Sequence, residues 1–137
     1  MKVADRPTIC VDFEGVIEKY RGWESITVLY NPINGAADFL KKIDEMGDII
    51  VWSHRLDPRI AATNAVESLR DQIEEWLAAN DFPFASVSFG TRQPVADAYI
   101  RHTDFPKAMH THTVMEPQWF TTNLERIAAI LADRLFA

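Results

Sequence analysis

Residues 9–17 read ICVDFEGVI, an apolar run that ends on Asp12, a second carboxylate at Glu14 and then Gly15. A strand that finishes on a charged side chain delivers it to the sheet's edge, because a carboxylate left unpaired in the core is costly. Asp12 could merely cap the following turn, but Glu14 and Gly15 directly behind it favour a site. Other chemistry-bearing side chains stand at similar places. Ser53 and His54 close the run DIIVWS, Arg92 and Gln93 follow FASVSF, and Arg101 and His102 follow ADAYI. His110 and His112 have the spacing of two metal ligands on one strand face, yet no third ligand of obvious spacing accompanies them, which favours surface histidines. Cys10 lies inside the first apolar run and reads as a buried small hydrophobe rather than a nucleophile or disulfide partner.

The elements that must position these groups alternate. Residues 8–13 and 48–53 read as strands buried on both faces, 84–89 and 96–100 as a third and a fourth, 109–115 as a fifth, and 26–30 as a short extra strand. A helix is expected from Pro32 to a stop at Gly47, with Ala36, Phe39, Leu40 and Ile43 on one face. A second runs from about 63 to 80, with Val66, Leu69, Ile73, Trp76 and Leu77 inward. Pro117 opens a third, whose stripe is Phe120, Leu124, Ile127, Leu131 and Leu135. Such alternation means βα units with right-handed crossovers: an α/β, three-layer, Rossmann-like fold with a mostly parallel sheet of about five strands and helices on both faces. Ligands bind such sheets beyond the carboxyl ends of the strands, which is where the groups above fall.

Composition sets the remaining bounds. The chain has 137 residues, 47% of them hydrophobic, enough for one domain (1–137) with a single core. A net charge of −6 argues against a nucleic-acid partner, whose binding surface would be basic. No apolar run approaches the ~20 residues of a membrane span. The N-terminal MKVADRPT lacks the apolar segment of a signal peptide, so a soluble, cytoplasmic protein is expected.

The motif VDFEGVI resembles the first motif of the haloacid-dehalogenase-like (HAD) superfamily, in which a strand ends on Asp, any residue, Asp, Gly. NPINGAADFLKKIDEMG is similar to the helix that follows it in small members without a cap domain, and IIVWSHR to the second motif, a strand ending on Thr or Ser. IEEWL, DFPF and QPVADAYI fall where those proteins carry a Trp-Leu helix, a third strand and a Lys-Pro segment before a strand. The resemblance covers roughly residues 8–105. It implies phosphohydrolase chemistry on a small phosphomonoester: Asp12 as the nucleophile that forms an aspartyl-phosphate, Glu14 as the acid/base, and Ser53 holding phosphoryl oxygens. His54 and Arg55 line the mouth of the site, and Trp23 is placed to cover the pocket.

Two positions depart from the family's pattern. Gln93, with Arg92 alongside, stands where the family has the Lys before Pro that neutralises the phosphate. Arg101 and His102 replace the two acidic residues that hold Mg²⁺, leaving Asp12 and Glu14, with Asp104, as the residues that would have to bind the metal. Magnesium wants hard oxygen ligands, so weak Mg²⁺ binding is expected, while Ser53, His54, Arg92, Gln93 and Arg101 form a set for phosphate. Two readings follow: a slow HAD-type phosphatase, or a catalytically inactive HAD-like module that binds a phosphate-bearing ligand or a protein partner.

Overall fold

Every strand of the sheet that the computed structural model describes runs parallel to its neighbours. The described residues are 6–19, 29–61, 65–88, 90–105 and 117–135. The strands are β1 (Thr8–Asp12), β2 (Asp48–Trp52), β3 (Ser86–Ser88) and β4 (Ala98–Ile100), in the order β3-β2-β1-β4. The helices are α1 (Ala36–Asp44), α2 (Val66–Ala79) and α3 (Pro117–Leu135). This is the α/β, parallel-sheet architecture that the alternating pattern implies, and every one of these elements begins and ends within a few residues of its expected place. The fifth strand expected over 109–115 lies outside the described residues, together with His110, His112 and Trp23. Residues 29 and 30, at the end of the expected short strand, are not in a strand. Among the described residues no helix is long and apolar enough to cross a membrane.

Local chemistry explains the boundaries. Gly35 precedes α1 with φ at 91°, a left-handed turn that a side chain would strain. Phe39, Leu40 and Ile43 then recur at helical spacing and are fully buried. After α1 the chain turns into β2 at Gly47, where a Cβ would stand 2.4 Å from the Pro7 carbonyl oxygen, so only glycine lets the two backbones approach. Trp76, expected inward on α2, is half-buried. Its ring meets Phe13 edge-on and stacks on Phe82, while its indole N–H donates to the Tyr30 carbonyl at 3.0 Å.

The register separates the two faces of the sheet. Ile9, Val11, Ile49, Val51, Val87, Ala98 and Ile100 point one way and are all buried. They join the buried side chains of α1, α2 and α3 in one core. Cys10, Ile50, Ser86 and Tyr99 point the other way with Asp12 and Trp52, and none of them belongs to that core. Among the described residues the helices therefore share one face, which corrects the expectation of helices on both. The crossovers β1–α1–β2 and β2–α2–β3 step in the same direction, and crossovers of one hand that do so place their helices on one side. The return from β3 to β4 has no helix. Residues 90–97 make it, crossing the opposite face over Tyr99, whose hydroxyl donates to the Pro94 carbonyl at 2.8 Å and accepts from the Ala96 N–H at 3.0 Å.

Candidate functional site

β1 ends at Asp12 between β2 and β4, so its carboxylate reaches the carboxyl edge of the sheet at its centre. The side chain is only 5% exposed and both oxygens are occupied. Oδ1 accepts from the Gln93 amide at 3.0 Å; Oδ2 accepts from the His102 backbone N–H at 3.0 Å and lies 3.1 Å from His102 Nδ1. The three groups come from three separate segments: β1, the 90–97 connection and the turn after β4. The Cys10 thiol, on the same face two residues back, is pushed up to about 12 by burial and by the Asp12 charge, which keeps it protonated and inert.

Glu14 does not join Asp12. Its Oε2 accepts from Ser53 Oγ at 2.6 Å and from the Arg55 guanidinium at 2.6 Å, and its Oε1 accepts from the His54 N–H at 3.2 Å. The same Arg55 nitrogen donates at 2.9 Å to Glu18, whose other oxygen accepts from the Tyr30 N–H at 2.8 Å. Arg55 and Glu18 are fully buried, so this is an interior ion cluster with two carboxylates on one guanidinium. Burial pushes the Glu18 carboxyl up to about 7, against the pull of Arg55 and Tyr30. It pushes Glu14 up as well, against Arg55, Ser53 and His54. The structure thus ties Glu14 to Ser53 and to the Arg55 guanidinium, and Ser53 Oγ also accepts from the Arg55 backbone N–H at 3.2 Å. Arg55, expected at the site mouth, is instead the interior counter-charge. Glu18 was not singled out by the sequence reading. The signal was there: Glu14 and Glu18 enclose the apolar Val16 and Ile17, and two acids in such a setting require a cation.

The remaining site residues divide into those already paired and those that face outward. Asp104 accepts from the Arg101 N–H at 2.7 Å and pairs with Arg126 at 3.0 Å, so it closes the turn after β4 instead of turning to Asp12. Arg101 lies with its guanidinium carbon 4.6 Å from the Tyr99 ring centroid, and its Nε reaches Gln93 Oε1 at 3.3 Å. Its two terminal nitrogens have no partner among the described residues. Arg92 is exposed beside Gln93 and makes no ion pair among the described residues, whereas Arg59 is held by Asp57. The exposed His54 rests its ring edge-on against Trp52 at 4.2 Å.

Mg²⁺ does not fit this donor set. Glu14 is bound to Arg55 and Asp104 to Arg126, and the turn after β4 presents a guanidinium and an imidazole. Among the described residues no three His, Cys, Asp or Glu side chains gather as a metal site. The arrangement instead offers a carboxylate covered by a histidine, beside a guanidinium fixed by an aromatic ring. No protein-family model, no curated protein and no solved structure matches the chain.

Proposed function

We propose that the chain is a HAD-like module that binds a phosphate-bearing ligand at the carboxyl edge of its sheet without Mg²⁺. The observation that carries the reading is Arg101. Tyr99 and Gln93 hold its guanidinium in place, and its two terminal nitrogens, without a partner among the described residues, suit a pair of phosphoryl oxygens. Arg92 adds a second cation to this edge in a chain of net charge −6. The motifs quoted from the sequence support the HAD-like reading, and the phosphate class follows from the guanidinium and not from the resemblance alone.

The phosphatase reading, with Asp12 as nucleophile and Glu14 as acid/base, draws on Asp12's position at the strand end. It needs Asp12 to emerge from beneath His102 and Gln93, and Glu14 to leave Arg55. Calorimetric titration with inorganic phosphate, with and without Mg²⁺, tests the binding reading. Metal-independent binding that weakens about tenfold in Arg101→Ala is expected, the loss of one charge-assisted contact. Binding that requires Mg²⁺, or that ignores Arg101, refutes it. Phosphate release from simple phosphomonoesters that disappears in Asp12→Asn would favour the phosphatase.

A further inference from the structure

We infer that Gln93 is a positioning residue for the Arg101 guanidinium, and that Asp12 serves this edge by fixing which way the Gln93 amide faces. This role rests on the reading that Arg101 grips a phosphate-bearing ligand, and it gives a carboxylate a reason to stand close to an anion site. Gln93 bridges the two charges. Its amide nitrogen donates to Asp12 Oδ1 at 3.0 Å, and its amide oxygen accepts from Arg101 Nε at 3.3 Å. A carboxylate only accepts and a guanidinium only donates, so one orientation of the amide satisfies both neighbours. Asp12 is itself held, because its Oδ2 accepts from the His102 backbone N–H at 3.0 Å and the side chain is 5% exposed.

The bond at Nε supplies what the aromatic contact lacks. The Tyr99 ring lies 4.6 Å from the guanidinium carbon, and the attraction of a cation to a ring face gives the fork no direction within that face. A hydrogen bond at Nε is directional, so it aims the terminal nitrogens and turns a loosely seated cation into an oriented two-pronged donor. The backbone on either side is held by other bonds. The Tyr99 hydroxyl fastens the 90–97 connection at Pro94 and Ala96. Asp104 Oδ2 accepts from the Arg101 N–H at 2.7 Å and from Arg126 at 3.0 Å, and Arg126 also reaches the Tyr99 carbonyl at 3.2 Å. The Gln93 side chain therefore acts on the direction of the guanidinium rather than on the fold around it. An amide in place of the Asp12 carboxylate donates as well as accepts. Gln93 is then free to turn over, which sets its NH₂ against the Arg101 Nε–H, donor to donor.

Calorimetric titration of the full chain with inorganic phosphate, in a double-mutant cycle, tests this. Gln93→Met keeps the side chain's length and removes both bonds. It should weaken phosphate binding about fivefold, the net worth of one hydrogen bond, in a chain that melts as the wild type does. Added to Arg101→Ala it should change nothing further, because its effect passes through that guanidinium. Asp12→Asn removes a charge that repels phosphate as well as the amide's orientation, and in the Gln93→Met background only the charge effect remains. The substitution should therefore be about fivefold less favourable to binding with Gln93 present than without it. Unchanged affinity in Gln93→Met, or effects of the two substitutions that simply add, overturns the inference and leaves the Arg101 reading intact. A Gln93→Met chain that melts well below the wild type makes Gln93 structural and overturns it as well. Phosphate binding that ignores Arg101, or no phosphate binding, overturns both.

Discussion

Replacing Arg55 with Met keeps most of the side chain's volume and deletes its charge, leaving Glu14 and Glu18 buried without their counter-ion. Removing one partner of a buried ion pair typically costs about 3–5 kcal/mol. The cost here is limited from above, because a carboxylate that becomes too unfavourable takes a proton. Protonating an ordinary carboxyl group at neutral pH costs about 3 kcal/mol, at about 1.4 kcal/mol per pKa unit. Burial already pushes both carboxyls up, Glu18 to about 7, so the penalty is the loss of Arg55's pull on the two of them together with its hydrogen bonds to each. A total of about 4 kcal/mol results. With an unfolding entropy of roughly 2 cal/mol/K per residue, that lowers Tm by about 10–15 °C for a chain this long. Circular-dichroism melts of wild type and Arg55→Met at pH 7 and pH 5 measure it, and the deficit should shrink at pH 5, where protons come more cheaply. A Tm change under about 3 °C at pH 7 would show that the cluster is not the buried unit described.

Glu18 gives the pH dependence: its carboxyl sits at about 7 in the folded chain against 4.5 ordinarily, so the folded state holds the extra proton between those values. Stability from this group is complete below about pH 4.5 and is lost as pH rises through about 7, up to roughly 3 kcal/mol. Glu18→Gln should flatten that fall in urea unfolding midpoints from pH 5 to pH 8, and an unchanged slope would contradict it. Arg101→Asp combined with His102→Asp places two new carboxylates beside Asp12 and removes its imidazole cover, so calorimetry should detect tighter Mg²⁺ binding than in the wild type. Gly47→Ala drives a Cβ into the Pro7 carbonyl and should cost about 1–3 kcal/mol by thermal melting, whereas an unchanged Tm would mean that the backbone there yields freely.

The elements were legible because their periodicities are strong. Ala36, Phe39, Leu40 and Ile43 state the buried face of α1 outright, and the apolar runs ending at Asp12 and Ser53 state the two central strands. The site was legible as a place: Asp12, Gln93, Arg101 and His102 do converge at the carboxyl edge. Their partnerships were not legible, because spacing along a strand says nothing about which of two neighbouring carboxylates a cation will choose. Arg55 reads as an exposed residue two positions beyond the strand, and only the turn at His54–Leu56 swings it inward to Glu14 and Glu18. The helices' common face escaped for a related reason. An apolar run looks the same whether both its faces are covered by helices or one is covered by a crossing loop.

That one-sidedness makes mutational tolerance along the sheet a comb. Stepping along β2 and its neighbours, each tooth is a position facing the helices: Ile49, Val51, Val87, Ala98 and Ile100, all at most 4% exposed. The positions between are covered unevenly: Ile50 and Tyr99 are half-buried and Ser86 is exposed, although Cys10 and Trp52 on the same face are buried. A saturation library should therefore accept polar substitutions at Ile50 and reject them one residue to either side, although the letters DIIVW give no hint of such an alternation.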